Sequence, residues 1–176
     1  MPVTYTLIAS NVLSTTAASV TFSAIPATYT DLVLRLSTRT NRTSANLQRL
    51  FMKFNGDGTT TKYSFTDVSR SGTSPASFRL ANTEEIWNGY TQATDSTSNT
   101  FANTEIYIPN YASSVNKPLS AFACPEDNVS GYMDGAVTAV AGLYSETAAI
   151  TSVTFLLPTG SFVSGSSFYL YGIKNS

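Results

Sequence analysis

Asp31-Leu32-Val33-Leu34-Arg35-Leu36-Ser37 decides the fold. In an extended chain Leu32, Leu34 and Leu36 share one side, while Val33, Arg35 and Ser37 take the other, which is the period of a half-buried strand. The same alternation recurs outward from this stretch. Val20-Thr21-Phe22-Ser23 repeats it and closes at Ile25-Pro26, where the proline removes a ladder donor. Leu47 to Phe54 fits both helical and strand spacing. The following Asn55-Gly56-Asp57-Gly58, tolerant of positive φ, and the alternating Tyr63 and Phe65 favour a strand that returns as a hairpin. Further strands are expected at Glu105–Ile108 before Pro109, Leu119–Ala123 before Pro125, Val137–Ala141, Thr151–Leu157 and Ser167–Ile173. Ser69 to Thr100 is irregular and rich in Ser, Thr, Gly and Asn, which predicts long loops around Trp87 and Tyr90. The expectation is an all-β chain of about nine or ten strands, an antiparallel two-sheet sandwich of jelly-roll-like type, in a single domain over residues 1–176.

Composition narrows the chemistry. The 176 residues contain no histidine, one cysteine and 12% charged side chains, against 42% hydrophobic residues including ten Tyr and ten Phe. Without imidazole, the usual proton shuttle near neutral pH and the commonest metal ligand are both missing. About fifty residues are Ser or Thr, so hydroxyls rather than charges hydrate the surface, and such a surface packs against neighbours with little charge to desolvate. The formal charge is −1 and Lys and Arg are scattered, so nucleic acid is not expected as a partner. Arg35, Arg39, Arg42 and Arg49 form the one local basic group, read as strand and loop charge rather than an anion site. Cys124 is read as a small buried thiol. The start Met1-Pro2-Val3-Thr4-Tyr5 has no signal-peptide pattern, and no apolar run reaches membrane-span length, which implies folding in the cytoplasm.

Three constellations merit weighing. Glycosidases need only two carboxylates, and Glu84, Glu85, Glu105, Glu126, Asp127 and Asp134 are the candidates, but their spacing marks no acid and base pair. Asn55-Gly56-Asp57-Gly58 resembles a fragment of a calcium loop without the later ligands, and reads as a turn. Trp87 is either a core plug beneath a loop or a binding aromatic. No catalytic residue, cofactor or metal ligand is assigned.

Several segments together carry a family resemblance: Tyr5-Thr6-Leu7-Ile8-Ala9-Ser10-Asn11, Ser19 to Pro26 with Tyr29 to Arg35, Phe54-Asn55-Gly56-Asp57, Glu105 to Tyr111, and the ending Phe168-Tyr169-Leu170-Tyr171-Gly172-Ile173-Lys174. The chain resembles short virion structural proteins of tailed phages that infect aquatic bacteria, of cyanophage-like type. The likeness spans nearly the whole chain and departs most between Ser69 and Thr100. It implies a non-enzymatic structural subunit located in the virion. The first placement is a capsid decoration or cement protein, a homo-oligomer expected to be a trimer, bound to the major capsid protein. The second is a tail-fibre or receptor-binding module for a host surface glycan. Subunit or ligand contacts are expected from Trp87, Tyr90, Tyr107, Tyr111, Tyr169 and Tyr171, some of which fill the core instead.

Overall fold

A computed structural model describes residues 4–71, 74–129 and 136–174. The described residues form twelve strands and no helix: β1 (Tyr5–Val12), β2 (Ser19–Phe22), β3 (Asp31–Thr38), β4 (Leu47–Phe54), β5 (Tyr63–Ser71), β6 (Ser74–Thr83), β7 (Ile86–Gln92), β8 (Ala102–Ile108), β9 (Lys117–Cys124), β10 (Ala136–Tyr144), β11 (Val153–Leu156) and β12 (Ser167–Ile173). They build an eight-stranded sheet in the order β1-β12-β3-β8-β9-β10-β5-β6 and a four-stranded sheet in the order β2-β11-β4-β7. Every strand pairing is antiparallel.

The inner faces follow from period two. In β8, Ala102, Thr104, Ile106 and Ile108 are buried while Asn103, Glu105 and Tyr107 face solvent. Leu170, Leu34, Ile106, Ala121 and Val140 lie in direct register across five strands, and all are buried. The small sheet answers with Val20, Phe22, Leu50, Met52, Phe54, Val153 and Phe155, so both sheets enclose one core. Each large side chain so buried contributes roughly 1.5–3 kcal/mol relative to exposure.

β7 is the strand of the small sheet that lies across β8, β9 and β10. Its approach depends on Gly89. A β-carbon there would sit 2.5 Å from the Ala123 β-carbon, and the backbone has φ of +95°, in a bulge opposite Arg49 to Phe51 of β4. Only a residue without a side chain satisfies both conditions.

The structure revises three sequence expectations. The described strands number twelve because Ser69–Thr100 is not mainly loop: it holds the end of β5, all of β6 and all of β7. Isolated polar residues in β6 and β7 hid the strands. β6 alternates Ala76, Phe78 and Leu80 with Ser77 and Arg79, but as an exposed edge it buries neither row, and β7 is buried almost throughout and shows no period two. The loop reading holds for Thr94–Thr100, where the Arg39 guanidinium donates to the carbonyls of Thr97 and Thr100 at 2.9 Å and of Ser96 at 3.2 Å. The segment Leu47–Phe54 is a strand, and Asn55 and Gly56 both take positive φ with Asp57 N–H donating to Phe54 O at 2.8 Å, which is the expected tight turn. The flanking strands do not form a hairpin. β4 pairs with β7 and β11, β5 pairs with β6 and β10, and the turn carries the chain from one sheet to the other.

That crossing is tied down by aromatics and charge. Phe54, Tyr63 and Tyr144 pack together, with Tyr63 and Tyr144 ring centroids 4.8 Å apart. Asp57 accepts from Thr59 N–H at 2.9 Å and Tyr144 O–H at 3.0 Å and pairs with Lys62 at 3.1 Å; Lys62 also meets Glu146 at 2.7 Å. Hydrogen bonds from Thr59 first, then from Lys62 and Tyr144, hold the Asp57 carboxyl well below its ordinary 3.8. Burial pushes the Tyr63 hydroxyl up to about 12. Asp67 of β5 behaves oppositely. It is 1% exposed with no hydrogen-bond partner for either oxygen, and burial raises its pKa against the pull of Ser69 and Arg49.

Gly89→Ala is expected to destabilise the fold by about 2–4 kcal/mol in chemical denaturation, overpacking and left-handed strain adding. Adding Ala123→Gly should return the steric share only. The two aspartates should show opposite pH dependence of melting temperature. Asp57 contributes stability that is present above pH 3.8 and is lost as pH falls through its depressed pKa. Asp57→Asn should therefore flatten the acid-side loss and lower Tm by about 2–4 °C at neutral pH, roughly 1 kcal/mol. For Asp67 the folded state favours the protonated acid, so stability is greatest below the unfolded pKa and falls as pH rises through the folded one. Asp67→Asn should remove that decline.

Candidate interaction surface

With its inner face committed to the core, the eight-stranded sheet presents the alternate residues outward. One row runs in direct register through Tyr169, Arg35, Glu105, Phe122, Ala139 and Val68. The neighbouring row runs through Leu7, Tyr171, Val33, Tyr107, Ser120 and Ala141, of which Val33 is itself buried. Phe122 is 51% exposed, Val68 62% and Tyr107 38%, large values for apolar side chains in mid-sheet. Between them the small residues Ser120, Ala139 and Ala141 leave a shallow depression of about 470 Å³. The charged residue on its rim is Glu105, whose carboxylate meets Arg35 Nε at 2.9 Å; both side chains are more than half exposed, so the pair adds little stability.

The other half of the face is a tyrosine cluster. Tyr169 and Tyr171 are nearly parallel with centroids 6.5 Å apart, Tyr5 meets Tyr171 edge-on at 6.4 Å, and the Arg35 guanidinium lies 5.9 Å from the Tyr5 ring. Beside them a depression of about 300 Å³ is lined by Ser37, Asn103, Ser167 and the two parallel tyrosines. Tyr107 O–H donates to Asp31 Oδ2 at 2.9 Å, and that bond, before burial, raises the tyrosine's pKa. The same aspartate accepts from Asn110 N–H, so it fixes both the ring and the following turn.

Of the six aromatics expected to make contacts, Tyr107, Tyr169 and Tyr171 share this outward face. Trp87 and Tyr111 do not: they are 3% and 0% exposed and belong to the core. Tyr111 donates to Pro26 O beneath the segment after β8. Trp87 packs edge-on against Phe65 at 6.0 Å and Tyr90 at 5.0 Å, with Arg49 over its ring at 4.8 Å, which is the core-plug reading. Tyr90 is half-buried beside it. Phe122, Val68, Val137 and Tyr5 are exposed members of the face that sequence reasoning missed; the signal was present for Phe122, which alternates with the buried Leu119, Ala121 and Ala123.

The remaining candidates make the following contacts. Arg42 donates to Gln48 Oε1 at 2.7 Å and Arg39 to loop carbonyls, while Arg35 pairs with Glu105 at the surface and Arg49 lies over the Trp87 ring. Glu85 pairs with Lys53 at 3.4 Å and Glu84 reaches it at 4.0 Å; Glu126 and Asp127 accept from the backbone N–H groups of Asn128 and Val129; Asp134 lies outside the described residues. In the turn once weighed as a calcium loop, Asn55 Oδ1 accepts from Thr151 and Ser152 N–H, and the Asp57 carboxylate is engaged as described above. Among the described residues no three Cys, Asp or Glu side chains converge as a metal site. Cys124 is half-buried rather than buried. Lys117, fully buried, was not anticipated. Its ammonium donates to Ser113 O at 2.7 Å and Thr147 O at 3.2 Å, joining two loops, and burial lowers its pKa.

No protein-family model matches the chain, and no curated protein matches it.

Proposed function

We propose that this chain is a structural subunit of a tailed-phage particle, a capsid decoration protein that binds sister copies and the shell and performs no reaction. The observation that carries the reading is the outward face of the large sheet. Exposed Phe122, Val68 and Tyr107 around a shallow floor of Ser and Ala, with one surface ion pair, make a surface built for burial against another protein. The resemblance of the strand and turn segments to short virion proteins supports the same reading. The strand order supports a jelly-roll-like sandwich, because the chain changes sheet at most connections and neighbours in sequence pair directly only at β5–β6, β8–β9 and β9–β10. On a particle, many copies each making modest contacts sum to firm attachment.

A second reading rests on the tyrosine half of the face. Near-parallel Tyr169 and Tyr171 beside Asn103, Ser37 and Ser167 offer ring faces and polar side chains of the kind that hold a saccharide, as a receptor-binding module requires. Trp87 and Tyr90, two of the aromatics that such a module could have exposed, are buried and half-buried.

Copy number separates the two. Quantitative mass spectrometry of purified particles is expected to find on the order of hundreds of copies per virion, as repeated shell positions allow. A handful of copies, together with glycan binding abolished by Tyr169→Ala, would transfer the chain to the tail. Phe122→Asp is expected to weaken attachment to the shell at least roughly tenfold, since a charge would be buried unpaired.

A further inference from the structure

Among the described residues, β6 ends the eight-stranded sheet with no strand on its outer side. An edge of this kind is a row of open N–H and C=O groups, and proteins that keep such an edge single blunt it with charges, bulges or brevity. β6 carries such devices only toward its ends, a proline at Pro75 and a bulge at Asn82 where its register with β5 shifts. It is ten residues long, bears one charge, Arg79, and keeps unbroken register with β5 from Ser71–Ser74 to Ser64–Ala81. β1, at the other end of the sheet, is bulged between Leu7 and Ala9.

Pro75 reveals which groups point outward. It pairs with Arg70 but has no N–H, and antiparallel residues alternate between bonding inward and outward, so Pro75, Ser77 and Arg79 present their backbone to the open side while Ala76, Phe78 and Leu80 bond to β5. Phe78 is 46% exposed and Leu80 41%. Phe78 also ends an aromatic ladder: Tyr90 to Trp87 is 5.0 Å, Trp87 to Phe65 6.0 Å and Phe65 to Phe78 6.1 Å, and the series then meets solvent.

We propose that β6 pairs antiparallel with β6 of a second copy about a twofold axis at Phe78, joining two large sheets into one. The register is selected by chemistry. Centred on Ser77, the pairing would set Pro75 against the partner's Arg79 and lose an N–H bond on each side. Centred on Arg79, it would oppose two guanidiniums. Centred on Phe78, Pro75 faces the partner's Ala81 and also loses a bond on each side, but Arg79 and the partner's Ser77 exchange both backbone bonds on each side of the axis, two complete pairs where the Ser77-centred register has one, and Leu80 meets the partner's Ala76. Phe78 then meets the partner's Phe78 at a position without hydrogen bonds, where cross-strand side chains come closest. The aromatic ladder thereby continues across the axis. A twofold, isologous contact of this kind closes at two copies, in place of the trimer expected from the sequence. It is independent of the virion reading, which particle copy number decides.

Sedimentation equilibrium of the purified chain is expected to give twice the 18.8 kDa of one copy. Ser77→Pro removes an outward N–H while leaving the β5 ladder intact, and Phe78→Glu opposes two carboxylates; each should raise the dimer dissociation constant by more than roughly tenfold with the circular dichroism spectrum retained. In a Cys124→Ser background, Phe78→Cys should form an intermolecular disulfide on mild oxidation and Ser77→Cys should not. Should Ser77→Pro fail to fold, Phe78→Glu and the disulfide pair decide. A wild-type monomer, a trimer, a dimer indifferent to these substitutions, or cross-linking through Ser77→Cys instead would each overturn the proposal. A monomer that captures an extended peptide along β6 would assign the edge to a different protein and overturn it equally.

Discussion

The buried row Leu170, Leu34, Ile106, Ala121 and Val140 is the constraint on which the rest depends. Because side chains alternate along a strand, committing this row to the core leaves no freedom in which residues face outward. A one-residue slip would turn Arg35, Glu105 and Phe122 into the interior and expel the leucines. The outer face of Phe122, Val68, Tyr107 and the tyrosines is therefore the register's second consequence, and its chemistry is preserved by the same packing that secures the fold.

The two sheets are unequal, and that inequality shapes the surface. Four strands cannot cover eight, and β7, the strand that lies across β8, β9 and β10, reaches them only through the absence of a side chain at Gly89. β6 overhangs, so Phe78 and Leu80, which share the inward side with the buried Phe65, remain exposed at the sheet's end. An inner face without a covering partner is the geometry from which pairing with another chain gains most.

With so few charges, the chain spends them on loops. Arg39 gathers the carbonyls of residues 94–100, Lys117 joins the segments around Ser113 and Thr147, and Lys62 bridges Asp57 and Glu146 beside the turn between sheets. Buried or half-buried cations that satisfy several carbonyls hold irregular backbone where no ladder exists. The outer face keeps little charge for itself, which lowers the desolvation cost of covering it.

Period two in Leu32-Val33-Leu34-Arg35-Leu36 and its echoes determined the strand class, the inward residues of β3 and the strand character of Leu47–Phe54, because alternation is a local property of one chain segment. The same reasoning missed β6, whose short alternation of Ala76, Phe78 and Leu80 sits in a stretch rich in Ser, Thr and Gly, and β7, which is buried on both sides and leaves no alternating trace. Nor could it separate Trp87 and Tyr111, which fill the core, from Tyr107, Tyr169 and Tyr171, which share a surface: aromatic residues suit both places. Asn55-Gly56 specified a tight turn by its tolerance of positive φ, yet whether the next strand returned to the same sheet or crossed to the other depended on β5 finding β10, some seventy residues away in sequence. Local stereochemistry was written in the residues; which strands became neighbours, which edge stayed open and which face met solvent were decided only when distant segments competed for the same core.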